Sequence, residues 1–468
     1  MKNISRNIAY QGIFQIVKTI LPFLAIPIVS HSLGAAAVGE YNFYNSIIQY
    51  FILMAALGIP LYGVREVAKN RDNENKLATF FSELQLLNIT LAIAVAVLAA
   101  IIGFLLKYPA IYFVQIILII GSGLDISWFF MGVEDFSKVT IANTIIAIIS
   151  VLVLYFNVHT SADLLFYSFL MSVSTVIGQI IPWLFIRKYV KRNNVRIKNV
   201  YKHIKHTYIL FFPQVSILIY TVVNKIILGF FAGNVAVAVY SNSMLIVSSL
   251  VVLIGVVDTA FLPRVSYQAK TNNYAVAAKT LNNILQIQGF VNIGIIFGVL
   301  AISRQFIPWF FGKSFYNMET ILPVLIPSIF FITAGTSLSR QFFVPTDKLR
   351  PYNLIVFCGA LLSILLNFVS IPILGTMGAA LTTVLVEMFL WTIEIVYFFR
   401  ITGKTYYWNF LIKNFIAGIC MYLTIVILTG NMKSSIITTF LQVFIGVFVY
   451  FALNHALRGN FWLRVLKK

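Results

Sequence analysis

Eight ionisable residues stand where a long apolar chain has least use for them. Lys18, Lys225, Asp125, Asp258, Glu387 and Glu394 fall within apolar runs, and Arg65 and Arg264 close two others. A charge at mid-bilayer costs at least ~2.5–3.5 kcal/mol on insertion scales, so such groups face a bundle interior or a wet cavity. The chemistry they imply is binding, not bond making. Lysines along a membrane path with arginines at its inner mouth suit an anionic ligand such as a phosphate or diphosphate, because low-dielectric walls focus the field. A membrane carboxylate, with Glu387, Asp258 and Asp125 as the candidates, suits a coupling proton or sodium ion, since desolvation disfavours its charged form. Each has a plainer reading beside it. Asp125 and Asp258 lie near enough to the cytoplasm to be hydrated or to cap a helix, Lys225 can snorkel outward, and Glu387 and Glu394 can pair with a neighbouring helix. Tyr41, Tyr44, Tyr220 and Tyr240, with Asn42, Asn45, Asn224 and Asn242, offer contacts to sugar hydroxyls and ring faces, or equally helix–helix hydrogen bonds.

Catalytic patterns are missing. Gly403-Lys404-Thr405 looks like the end of a phosphate-binding loop, but Phe398 stands where that motif needs its first glycine. No H-E-x-x-H, G-x-S-x-G, C-x-x-C or Asp-x-Asp occurs, and the five histidines (31, 159, 203, 206 and 455) lie at loops or span ends. Cys358 and Cys420 sit in apolar runs and read as packing residues. No catalytic residue and no metal site is expected, and the chain reads as a non-enzyme.

The elements that must position these groups follow from composition. The chain has 468 residues, of which 60% are hydrophobic and only 10% charged. Soluble proteins carry roughly 25% charged residues, so this is a multi-span membrane protein. A span needs about 20 apolar residues. Candidates lie near 8–32, 38–62, 78–106, 109–132, 139–157, 163–187, 207–231, 236–262, 281–303, 320–343, 352–373, 377–399, 411–429 and 435–456, fourteen in all. Lys2, Arg6, Lys18, Pro22 and Pro27 argue for an uncleaved first span rather than a signal peptide.

Charge placement sets the orientation. With the N-terminus cytoplasmic, twenty-eight Lys and Arg fall inside and four outside, while Lys18 and Lys225 lie within spans. That bias puts both termini in the cytoplasm and explains the net charge of +20 without nucleic acid.

An offset of 199 residues pairs Gln15 with Gln214, Gly34 with Gly233, Ala37 with Ala236, Tyr41 with Tyr240, Arg65 with Arg264 and Ala78 with Ala277. The offset equals six spans, so the halves are parallel repeats related by an axis along the membrane normal. The expected organisation is a six-helix lobe over 1–187, a basic cytoplasmic linker over 188–206, a second six-helix lobe over 207–400, and a helix pair with a cytoplasmic tail over 401–468.

Residues 124–139, from Leu124-Asp125-Ile126-Ser127-Trp128 to Lys138-Val139, resemble a signature of the polysaccharide-transporter family, the Wzx-type repeat-unit flippases of the MOP superfamily. So do Gly63-Val64-Arg65-Glu66, Phe212-Pro213-Gln214 leading to Asn224-Lys225, Leu262-Pro263-Arg264 and Phe343-Val344-Pro345-Thr346. The resemblance implies an all-α, fourteen-helix MOP-type flippase. Its cargo would be a polyprenyl-diphosphate-linked oligosaccharide, moved from the inner to the outer leaflet of the cytoplasmic membrane by alternating access. Lys18, Arg65, Lys225, Arg264 and Asn224 would then border a cavity formed by the first, second, seventh and eighth spans. The implied partners are membrane lipids, a polysaccharide polymerase and glycosyltransferases, with no cofactor beyond a coupling proton or sodium ion. The family often has Asp-Lys where this chain has Asn224-Lys225, which weakens the case for ion coupling at that point. The rivals are a MATE-like cation-coupled exporter, which would favour acidic cavity residues, a membrane glycosyltransferase or polymerase, and a structural scaffold.

Overall fold

Apolar runs with no water to satisfy their amides have one local solution, the helix. In the computed structural model the backbone is described for residues 2–190, 197–258, 261, 274–403 and 408–457. Side chains are described over 23–190 (apart from Phe136 and Lys138), 200–258, 261, 278–403 and 409–457. The helices are α1 Lys2–Ala56, α2 Ile59–Asn70, α3 Glu74–Leu105, α4 Ala110–Leu124, α5 Ser127–Gly132, α6 Phe136–Asn157, α7 Leu164–Ile180, α8 Trp183–Ile186 and α9 Ile197–Ile254. They continue as α10 Tyr274–Phe310, α11 Met318–Leu325, α12 Ser328–Leu338, α13 Leu349–Leu374, α14 Thr376–Thr402, α15 Trp408–Thr429 and α16 Ile436–Ala456. A π-helical turn, Ser339–Phe343, follows α12. The chain forms two compact units, Met1–Ile226 and Ile227–Lys468.

Among the described residues, twelve helical stretches are long and apolar enough to cross a membrane. Two of them, of 48 and 59 residues, each carry two of the predicted spans. The division falls at a glycine. Gly34 has φ 73° and ψ 172°, and Gly233 has φ 81° and ψ 176°, a conformation open essentially to glycine alone. These two glycines are partners under the 199-residue offset, so the repeat is written in backbone conformation as well as in sequence. The protein is a multi-pass membrane protein, and its described residues form helices without strands, twelve of them long enough to span. Part of the segment read as a linker is itself helical, since α9 begins at Ile197.

Unit 1 is held at one end by an aromatic core. Ile126, Trp128, Phe129 and Phe130 are at most 1% exposed and pack with Ile59, Val67, Phe81, Leu84, Ile186 and Val200. The motif around Trp128 and the motif around Gly63 interlock. A Cβ on Gly63 would lie 2.4 Å from the Trp128 ring, and one on Gly132 would lie 2.5 Å from Val67. Only glycine permits α2 and α5 to approach this closely, so the two strings are a packing device.

α4 ends inside its span, and its last carbonyls need donors that lipid does not supply. Side chains from other helices provide them. Gln85 Nε2 donates to the Gly123 carbonyl at 2.6 Å, Asn88 Nδ2 to Ser122 at 3.1 Å, and Trp183 Nε1 to Leu124 at 2.7 Å. Near the same core Tyr189 donates to Asp135 Oδ2 at 2.5 Å. Burial first, and then the hydrogen bond to this carboxylate, push the Tyr189 phenol up to about 12, so it keeps its proton at ordinary pH.

In unit 2, α15 and α16 dock on α10. Tyr450 donates to the Phe290 carbonyl at 2.7 Å, Trp309 Nε1 to Thr439 Oγ1 at 2.8 Å, and Ser434 Oγ to the Gln305 carbonyl at 2.6 Å. Phe440, Phe444 and Phe448 repeat every fourth residue on the outer face of α16 and are largely exposed, as a lipid-facing stripe should be.

The interlock predicts that Gly63→Ala overpacks against Trp128 and lowers stability by about 1–3 kcal/mol. The unfolding midpoint of detergent-purified protein measures this. Adding Trp128→Phe should recover part of the loss, and an unchanged midpoint for Gly63→Ala would mean that α2 and α5 are not so tightly apposed.

Candidate functional site

In unit 1, Arg65 projects from α2 and is mostly exposed, with Nε 3.8 Å from Glu66 Oε1. Lys69 holds the same oxygen at 2.7 Å. Asn224 is buried (1% exposed) and Lys225 half-buried, side by side on α9. The Lys18 side chain lies outside the described side chains, and Arg264, with the whole Leu262-Pro263-Arg264 string, lies outside the described residues. Asp125 serves the backbone. Its Oδ1 accepts the Ser127 amide at 2.8 Å and its carbonyl accepts Trp128 Nε1 at 3.0 Å, which holds the turn from α4 into α5. The tyrosines are spent on packing. Tyr41 meets Tyr167 with ring centroids 4.9 Å apart, Tyr44 meets Tyr108 at 5.4 Å, and Asn45 accepts from Gln49 at 2.9 Å.

In unit 2, Tyr240 and Thr383 share a hydrogen bond of 2.8 Å, and Asn242 is buried. Glu387 is half-buried on α14. Glu394, two turns further along, is 4% exposed, and within electrostatic reach of Glu387. Glu394 Oε2 stands 3.0 Å from where a Cβ of Gly335 would be, which explains a glycine at that point of α12. Asp258 is 2% exposed and sits in a polar nest. Its Oδ1 accepts from Ser337 Oγ at 2.6 Å and from Gln341 Nε2 at 2.8 Å, and its Oδ2 accepts from Gln288 Nε2 at 3.1 Å. The carboxylates singled out from sequence therefore divide. Asp125 holds a turn, while Asp258 and Glu394 are buried inside unit 2.

A second buried polar group escaped the sequence reading. His203 at the start of α9 uses both ring nitrogens, with Nδ1 3.2 Å from Tyr62 Oη and Nε2 3.2 Å from Glu83 Oε2. His206 stacks on Tyr62, with centroids 5.7 Å apart and planes at 6°. Glu83 and His203 are 9% and 12% exposed. The signal available was a carboxylate well inside an apolar run, but its partner lies 120 positions away.

Comparison with known proteins identifies the family. Residues 4–268 match the model of the polysaccharide biosynthesis protein family. The chain belongs to that family. Two curated relatives carry the name "Putative O-antigen transporter". The one from Escherichia coli (strain K12) is 22% identical over 395 residues, covering 82% of this chain and 94% of the relative. The one from Shigella dysenteriae is 23% identical over 381 residues, covering 79% and 93%. Among solved structures, the lipid II flippase MurJ in an inward closed conformation superposes with a TM-score of 0.76 at 16% identity, over 97% of this chain and 100% of that one. An inward-facing multidrug resistance MATE family transporter of the MOP superfamily gives 0.57 at 14% identity, over 82% and 94%. The fold is the one shared by these solved structures, and the sequence resemblance to polysaccharide transporters holds.

The Glu83–His203 pair ties α3 to α9, and its coupling is measurable. A double-mutant cycle of Glu83→Gln and His203→Gln, read by chemical unfolding, should give an interaction energy of about 0.5–3 kcal/mol. Strict additivity would mean that the two side chains do not act as a pair.

Proposed function

We propose that this protein moves polyprenyl-diphosphate-linked oligosaccharide repeat units from the cytoplasmic to the outer leaflet of the cytoplasmic membrane, for assembly of a surface polysaccharide such as capsule or O-antigen. Membership of the polysaccharide biosynthesis protein family carries the reading. The names of the two relatives and the MOP-type fold support it. The physical need is plain. A diphosphate and a glycan are too hydrophilic to cross hydrocarbon unaided, so a protein must offer a polar path while the prenyl tail stays in lipid. No bond is made or broken in such a step, and the chain acts as a transporter rather than an enzyme. Both termini face the cytoplasm on this reading, as the twenty-eight to four charge bias requires.

The basic residues supply the attraction for the diphosphate. Lys18, Lys225, Arg65 and Arg264 are the proposed anion contacts, with Asn224 beside Lys225 as a hydrogen-bonding neighbour. Glycosyltransferases that build the cargo and a polymerase that consumes it are the expected partners. The similarity to multidrug exporters is one of fold, and basic residues on the path favour an anionic cargo over a cationic drug.

Deleting the gene should cause lipid-linked oligosaccharide to accumulate in the cytoplasmic leaflet, as read by leaflet-specific labelling and analysis of the stored glycan. Normal surface polysaccharide with no stored intermediate would count against the proposal and bring the exporter reading forward. In a complementation assay, Lys18→Glu and Lys225→Glu should each reduce surface glycan at least tenfold at normal protein level. Full export by both would remove these lysines from the mechanism.

A further inference from the structure

Unit 2 holds a buried carboxyl whose hydrogen bonds do not balance unless it carries a proton. Ser337 Oγ lies 2.6 Å from Asp258 Oδ1, 2.8 Å from Gln288 Oε1 and 3.1 Å from the Thr333 carbonyl. A hydroxyl has a single hydrogen to give, and three acceptors surround this one. With Asp258 ionised, Ser337 donates to the carboxylate, and its oxygen then faces Gln288 Oε1 with no hydrogen between them. A proton on Asp258 Oδ1 removes the conflict: Asp258 donates to Ser337, and Ser337 donates to Gln288. Turning the Gln288 amide end for end does not rescue the ionised form. Its oxygen would then face Asp258 Oδ2 at 3.1 Å, which again calls for a proton.

Three further observations point the same way. The spacings are those of hydrogen bonds rather than of a metal shell. Oxygens around a Ca²⁺-sized cation lie about 2.3–2.6 Å from the metal and so stand farther from each other than the 2.6 Å and 2.8 Å found at Ser337. The fold does not demand a carboxyl here, because the 199-residue offset pairs Asp258 with Ile59, which is fully buried in apolar packing. Finally, the π-helical turn Ser339–Phe343, closed by the Val344 amide on the Ser339 carbonyl at 3.0 Å, lies just where Ser337 and Gln341 converge on one carboxyl oxygen. Such turns are costly and cluster at functional sites.

We propose that Asp258, with Ser337, Gln288 and Gln341, is a proton-binding site inside unit 2, and that its ligand is one exchangeable proton rather than a metal cation. The charged groups on the elements around it are Arg340 on the π-helical turn, which acts on Asp258 electrostatically, exposed Lys279 and Arg304 on α10, and Glu387, Glu394 and exposed Arg400 on α14. Gln288 also lines a small, mainly apolar cavity of about 10 Å³ with Asn292, Phe330 and Trp391. Losing the proton leaves Ser337 and Gln288 unable to keep their present bonds, so occupancy is tied to the packing of α10 against α12.

The site does not depend on the identity of the cargo, and its test reads the carboxyl directly. Full-chain protein in lipid vesicles is compared with Asp258→Asn by infrared difference spectroscopy near neutral pH. The wild type should show the carbonyl stretch of a protonated carboxylic acid, absent from the variant and lost as pH is raised. Glu394→Gln should leave that band in place. Ser337→Ala should retain it with a shifted frequency, because the acceptor of the carboxyl hydrogen has gone. A difference spectrum containing only carboxylate bands overturns the proposal. So does a band that Ser337→Ala does not move, or one that sodium abolishes at constant pH, which would make this a cation site.

Discussion

Hydrocarbon offers a backbone amide nothing to bond with, and that single constraint organises most of the polar residues in this protein. A helix that runs from one face to the other satisfies itself. One that stops part-way, as α4 does at Leu124, exposes carbonyls that some side chain must meet, and Gln85, Asn88 and Trp183 meet them. The same demand recurs where the last helix pair joins α10, with Ser434 donating to the Gln305 carbonyl and Tyr450 to that of Phe290. Polar side chains inside the spans are therefore mostly structural. Among the buried side chains of the described residues that do not serve the backbone, the carboxyls of Asp258 and Glu394 stand out.

The strings that mark the family belong to the structural class. Trp128 fits against Gly63, and Val67 against Gly132, so two motifs some 65 residues apart are halves of one contact. A lock of this kind tolerates little substitution because interiors are close-packed and an added methyl has nowhere to go. It identifies the architecture and carries no information about the cargo. Asp125 illustrates the point. Read from sequence it is an intramembrane acid with a claim to ion coupling, yet in place it holds the turn that presents Trp128 to Gly63.

How much was legible follows from the range of the interactions involved. Spans were legible because hydropathy is a sum over about 20 consecutive residues, and the Gly34–Gly233 repeat because a backbone conformation open only to glycine preserves the residue type. Partners across helices were not. Nothing in the runs around Glu83 and His203 links positions 120 apart, and Gln288, Ser337 and Gln341 read singly as ordinary polar residues on packed helices. Glu387 and Glu394 were visible as a pair because a shared helix face is a local property, whereas the Gly335 contact of Glu394 is not.

The two repeats share a backbone plan but have diverged in what they bury. Ile59 is fully enclosed among Val67, Phe81 and Trp128, and apolar packing there is stabilising without any polar partner. Its counterpart Asp258 needs three side chains from three elements to be tolerated at all, and their geometry closes only around a neutral carboxyl. An acid that merely filled space would be replaced at little cost by an apolar residue of similar volume, as the other repeat demonstrates. Keeping it requires a reason that packing does not supply, and a titrating group inside a helical unit supplies one. Its two protonation states favour two arrangements of the same helices. Such an asymmetry would give unit 2 a response to pH that unit 1 lacks.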